Sequence, residues 1–188
     1  PVVKALTGSE DFGDLVELLD FDAVLAGADY DKKQIGDDLW VDEWGVTRAK
    51  GLMQYTVPVE SSAPIRSWED FERWHPPDPH ASHRLQTLKA YVKRFKGRKA
   101  IFVYVRDVFS HPRDLMGYAD FCIACRRNPE LVAAIVDATV EHSIKVVERA
   151  AELGAEFVFT GDDIAHNENT IISPSVWEEL FAPRFRRL

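Results

Sequence analysis

Three apolar runs in this chain end directly in ionisable side chains. DAVLAG is followed by Ala28 and Asp29, AIFVYV by Arg106 and Asp107, and EFVFT by Gly161, Asp162 and Asp163. A carboxylate placed there can hold a ligand N–H or a developing positive charge, and a guanidinium offers the planar fork that pairs with carboxylates. The alternative for each Asp is an Asx turn or a helix cap. His166 adds a group that titrates near neutrality, although in a loop its spacing from Asp162 fixes no geometry. In WVDEWGV, Asp42 and Glu43 precede Trp44 and Gly45, either as a pocket rim with its aromatic ring or as a hairpin with one buried Trp. Arg48, Arg106 and Arg113 are candidates to meet a substrate carboxylate, each with a local acid as the competing partner.

The two cysteines, Cys122 and Cys125, lie three apart in a stretch that reads as helix, so their thiols share a face. No second CxxC or HxxxH completes a tetrahedral set, and packing or surface thiols are the expected reading. His75, His80 and His83 surround prolines and read as a solvated connection; no metal site is expected.

Composition narrows the function classes. With 23 basic against 31 acidic residues the net charge is −8, so no attraction to nucleic acid or to an anionic membrane is expected. No apolar stretch approaches the roughly 20 residues of a spanning helix. The opening PVVKALTGSEDF lacks the marks of a signal peptide, and a cytoplasmic protein is expected.

The elements that must position these residues follow from periodicity. Ser9–Leu19 carries Phe12, Leu15, Val16 and Leu19 at helical spacing, and Asp22–Gly27 reads as a strand. Leu39–Pro58 suggests a hairpin-like excursion. Ser67–Trp74 has a capping-box spacing, and a further helix runs from about Ser82 to Lys96. Ala100–Val105 is apolar on both parities, which predicts burial of both faces. Pro112–Arg127 reads as one helix. A second begins at Asn128-Pro129 and runs to Leu153 with Leu131, Ile135, Ala138, His142, Val146 and Ala150 along one face. Glu156–Thr160 is the next strand, and Ser173-Pro174 opens a last helix. Helix, short strand and polar loop in repetition predict parallel strands joined by crossovers. Without a Gly-rich phosphate loop, a β/α barrel is favoured over a dinucleotide fold.

The series WVDEWGV, LMGY, NPELVAAIVDATVEHSIKVVERAAELGAEFVFTGDDIA and ISPSVWEELFAPRFRRL resembles the uroporphyrinogen decarboxylase superfamily, which also contains cobalamin-linked methyltransferases. The resemblance covers the chain from about Asp22 and is strongest from Asn128 to Leu188. It implies a (β/α)8 barrel of TIM type, present as an incomplete N-terminal half to two-thirds ending after roughly the fourth unit, since a full barrel takes ~250 residues. Exposed strand edges of such a piece would need another chain, such as a second copy in a homodimer.

For the decarboxylase branch the resemblance implies a metal-free carboxy-lyase acting on a tetrapyrrole or similar carboxylated small molecule. Asp29 would hold the pyrrole nitrogens, Tyr118 of LMGY would lie near the substrate, and Trp44, Arg106, Asp162, Asp163 and His166 would line the site. The arginine-rich motif of that branch has no counterpart here. The GDD loop and WVDEWGV look more like the methyltransferase-containing branch, for which the resemblance implies zinc, a corrinoid and a corrinoid-protein partner. A non-catalytic binding fragment is the third expectation.

Overall fold

The computed structural model describes residues 2–51, 56–106 and 108–188. Residues 52–55, within the expected Leu39–Pro58 excursion, and Asp107 lie outside the described residues. In chain order the elements are α1 (Val2–Thr7), α2 (Phe12–Leu18), β1 (Ala23–Gly27), β2 (Lys32–Gly36), β3 (Leu39–Asp42), β4 (Thr47–Lys50) and β5 (Thr56–Pro58). They continue with α3 (Trp68–Arg73), α4 (Gln86–Phe95), β6 (Ala100–Val105), α5 (Ser110–Met116), α6 (Tyr118–Arg127), α7 (Pro129–Leu153), β7 (Phe157–Thr160), α8 (Pro174–Val176) and α9 (Ala182–Phe185). None of the described helices is long and apolar enough to cross a membrane. The chain forms two units, one of Pro1–Asp29, His80–Val105 and Val146–Thr160, the other of Tyr30–Pro79, Arg106–Lys145 and Gly161–Leu188.

The first unit is built on a parallel sheet in the order β1-β6-β7. Val24 and Ala26 of β1 and Ile101, Val103 and Val105 of β6 bury one face of it. Against that face pack Leu88, Tyr91 and Phe95, which recur along α4 at helical spacing, together with Val146 and Ala150 from the end of α7. Helices on one face of a parallel sheet are what a barrel segment has; a doubly wound sheet carries them on both. The sheet has three strands where roughly four units were expected.

The opposite face corrects the expectation for AIFVYV. Phe102 and Tyr104 are only partly buried, because no described helix covers them, and they stack in register on Phe157 (4.8 Å) and Phe159 (5.9 Å) of β7. Arg94 of α4 holds α2 to this unit by pairing with Asp14 at 2.7 Å and Glu17 at 2.6 Å.

In the second unit β2-β3-β4-β5 form an antiparallel sheet. Strand β2 was not anticipated: KKQIG is exposed throughout, so no apolar alternation marks it. Between β3 and β4, Asp42 Oδ1 accepts from the N–H groups of Trp44 and Val46 at 3.0 Å each, and Gly45 turns the chain at φ +80°. The core centres on three rings, Phe109 against Phe121 at 5.0 Å and Phe181 at 5.7 Å and 6.0 Å from them, with Leu131, Val132 and Ile135 of α7 around them.

Two helices differ from expectation. The last one passes through a π turn over Trp177–Phe181, ahead of Pro183, whose missing N–H cannot serve the carbonyl four residues back. The single helix expected over Pro112–Arg127 is two, α5 and α6, broken at Gly117 with φ +81° and ψ +146°, a region that side chains strongly disfavour. Gly117→Ala is therefore expected to cost about 1–3 kcal/mol of stability. Urea unfolding measures it, and an unchanged midpoint would show that the break does not need glycine.

Candidate functional site

The three described strand-end carboxylates separate by what they touch. Asp29, after β1, is half-buried and bound to the start of α4. Its Oδ1 accepts from the Thr87 hydroxyl at 2.6 Å and its Oδ2 from the Thr87 N–H at 3.0 Å. Its own N–H donates to the Arg84 carbonyl at 2.8 Å, and Arg84 Nη1 donates back to the Asp29 carbonyl. The carboxylate is thus fixed in direction by two donors while each oxygen keeps a lone pair for a further partner. Neither Thr87 nor the buried Arg84 stood out in the sequence, where only their place at the start of a helix distinguished them.

Asp162 performs the same act in the second unit. Its two oxygens accept from the N–H groups of Phe109 (2.6 Å) and Ser110 (3.0 Å), where the first turn of α5 leaves amides without helical partners. Asp163 and His166 are both exposed; the His166 N–H donates to the Asn169 carbonyl at 2.9 Å. The acid pair therefore splits into one member that binds α5 and one that faces solvent.

The arginines converge on an acid that the sequence did not mark. Asp114, 3% exposed on α5, accepts at Oδ2 from Arg48 Nη2 (3.0 Å) and Arg106 Nη1 (2.8 Å), and at Oδ1 from Arg113 at 3.3 Å and 3.4 Å. Arg48 also pairs with Asp42 at 2.7 Å. The Arg106 carbonyl receives the Ser143 hydroxyl at 3.2 Å, which fixes the chain just after β6. All three sequence candidates thus meet on one buried carboxylate. The signal for it was a polar run, SHPRD, between Val108-Phe109 and Leu115-Met116, which requires polar groups to enter the core.

Beside this centre, Arg113, Asp114 and Tyr118 line a pocket of about 270 Å³ together with Val57, Pro58, Glu60 and Gly117. Tyr118 opens α6 directly after the Gly117 break and is 44% exposed. Trp44 occupies the hairpin alternative: it is 2% exposed, and its ring stacks on His111 at 4.1 Å and meets the edge of His142 at 4.8 Å. Tyr30 approaches both Trp44 and His142 at 5.9 Å. His111 is one turn before Asp114 on α5. Burial holds it well below the ordinary histidine pKa of 6.5, and the charges of Arg106 and Arg48, with the neighbouring His142, push it further down.

Comparison with known proteins agrees with this architecture. The model of the uroporphyrinogen decarboxylase (URO-D) family matches residues 52–188. The chain belongs to this family. Among solved structures it is similar to a methyltransferase from Methanosarcina mazei, with a TM-score of 0.63 and 17% identity over 97% of this chain and 52% of that one. The chain spans about half the length of that structure, and at this identity the likeness concerns the fold. No curated protein sequence matches the chain. Tyr118 of LMGY shares its pocket with Arg113 and Asp114.

The cysteines of this URO-D chain belong to no group of three or more candidate metal ligands among the described residues. Burial pushes the Cys125 thiol up to about 12 and raises that of Cys122. They sit on α6 as part of, or packed against, the apolar core.

The buried imidazole gives a pH test. Folded His111 resists protonation while the unfolded chain takes up a proton below about 6.5, so the unfolded state binds more protons as pH falls. Stability is fully present above that value and is lost on acidification through the window down to the folded pKa, at up to ~1.4 kcal/mol per pH unit. His111→Phe keeps a ring against Trp44 and removes the titration, so its stability between pH 7.5 and 5 should fall less steeply than that of the parent. Equal slopes in denaturant titrations of the two would refute the assignment.

Proposed function

We propose that this URO-D-family chain belongs to a carboxy-lyase that removes CO2 from a tetrapyrrole or related carboxylated substrate in the cytoplasm. The observation that supports it is the convergence of three arginines on Asp114, with one of them beside Tyr118 in an open pocket. Guanidinium groups suit the carboxylate arms of such a substrate. In the reaction a proton is added to a pyrrole ring carbon, which makes the ring cationic. The bond from the arm carbon to its carboxyl carbon then breaks, CO2 leaves, and the electron pair neutralises the ring. A second proton ends on the arm carbon as the ring gives up the first, so the arm becomes a methyl group with one net proton taken up.

Asp29 is proposed to stabilise the cationic ring. Held by two donations from Thr87, it presents negative charge in a fixed direction, which is the preorganisation that lowers the barrier most. Arg106, Asp162, Asp163, His166 and Trp44 are proposed to shape the site around the substrate, Asp162 through its hold on α5 and Trp44 through its packing on His111. This chemistry calls on no metal.

A second reading is methyl transfer with a corrinoid protein, favoured by the likeness in fold to the Methanosarcina mazei methyltransferase. It would use zinc to activate a thiol. The thiols of α6 belong to no cluster of three or more candidate ligands among the described residues, and no step is assigned to them.

The two readings separate on one preparation of the protein that carries this chain. Incubation with uroporphyrinogen should yield coproporphyrinogen by chromatography, and Asp29→Asn should lower kcat by about 100-fold or more while the protein remains folded. No product from folded protein, accompanied by stoichiometric zinc and methylation of a thiol from methylcobalamin, would replace decarboxylation by methyl transfer.

A further inference from the structure

Arg113 differs from the two arginines with which it shares Asp114. Arg48 and Arg106 reach Oδ2 at 3.0 Å and 2.8 Å, close to the usual length of charge-assisted bonds. Arg113, the immediate neighbour of Asp114 in the chain, cannot square its fork to that carboxylate and reaches Oδ1 only at 3.3 Å and 3.4 Å, through Nη2 and Nε. Its Nη1 makes no hydrogen bond among the described residues. The Asp114 carboxylate is already served by two better-placed cations, so the third guanidinium is steered by it but not saturated. This same side chain lines the pocket of about 270 Å³, together with the apolar Val57 and Pro58.

We propose that this pocket is a subsite for a single carboxylate-bearing arm of the ligand, with Arg113 as its specificity-determining residue and the Tyr118 hydroxyl as a second donor. A volume of about 270 Å³ takes a short arm and leaves a large ring system outside it. Gly117 is part of the lining, and its backbone at φ +81° disfavours a side chain there. The charge of the walls selects the head group. Glu60 and Asp114 are both in the lining, so a doubly charged phosphate meets two carboxylates, whereas a carboxylate brings one negative charge to a guanidinium that can form two parallel bonds with it.

The inference rests on the decarboxylase reading only for the class of ligand; binding is measured without turnover, so a bound arm with no CO2 released would leave the subsite standing and remove the activity. Ligand-observed NMR titration of the protein with propionate and, separately, inorganic phosphate is the test. Propionate is expected to bind with a Kd on the order of millimolar, as suits so few atoms, and phosphate about ten-fold more weakly. Arg113→Gln should weaken propionate about ten-fold or more, while Arg73→Gln, an exposed arginine on α3, leaves it unchanged. Should Arg113→Gln fail to fold, phenylglyoxal labelling of the unaltered protein replaces it, and propionate should protect the Arg113 peptide. Unchanged propionate binding by Arg113→Gln, no binding or protection in the parent, or phosphate binding as tightly as propionate would each overturn the proposal.

Discussion

The Asp114 carboxylate is the point on which the second unit is organised. It sits 3% exposed on α5, and the guanidinium groups that reach it come from β4, from the residue after β6 and from its own neighbour. A buried carboxylate is costly to desolvate, and its cost is offset only if hydrogen bonds occupy its oxygens. Arg48 carries the constraint on to Asp42, and Asp42 in turn holds the Trp44 and Val46 amides. One chain of charged groups thereby fixes the hairpin that packs Trp44 onto His111, and His111 belongs to the same helix as Asp114. The neutral state of that imidazole follows from the same arrangement: beyond the cost of burial, the arginines that satisfy Asp114 repel a second positive charge.

A common device links the other acids. Asp29, Asp162 and Asp11 each give their carboxylate to amides at the start of a helix, Asp11 at Gly13 N at 2.9 Å. For Asp29 and Asp162 that helix lies elsewhere in the sequence from the strand that the acid follows. In sheets of this kind the loops after the strands must both be held still and face a ligand, and a carboxylate bound through one set of lone pairs can do both. The helix-cap alternative for these residues and the site reading are therefore compatible: the cap sets the direction in which the remaining lone pairs point.

Periodicity made most of the parallel unit legible. The buried faces of β1, β6 and α4 and the buried run of α7 through His142 follow from apolar spacing, and Ser67, Ser173 and Gly154 act at the helix ends where their types predict. Strand β2 escaped because an exposed edge strand has no apolar alternation, and the α5–α6 break escaped because it depends on the φ of one glycine inside an otherwise helical pattern. The candidate site was half legible. Arg48, Arg106 and Arg113 were recognisable by type, but Asp114, which brings them together, lies 66 residues from Arg48, and no local pattern encodes that distance.

The open face of the parallel sheet follows from the family relation. Leu25, Phe157 and Phe159 are 40%, 51% and 50% exposed, although burying such side chains is worth roughly 1.5–3 kcal/mol each. Leu25, Phe102 and Phe157 are in register, so one apolar row crosses three strands, and Tyr104 with Phe159 forms a second across two, opposite Gly27. In a β/α barrel the helices cover the outer face and rows of side chains from the strands fill the interior in layers, which is the division seen here, with α4 and the end of α7 on one face and the aromatic rows on the other. The sheet's two apolar faces thus differ: the crossover helices pack on β1 and β6 from one side, and the other side carries aromatic rows of the kind that fill a barrel interior.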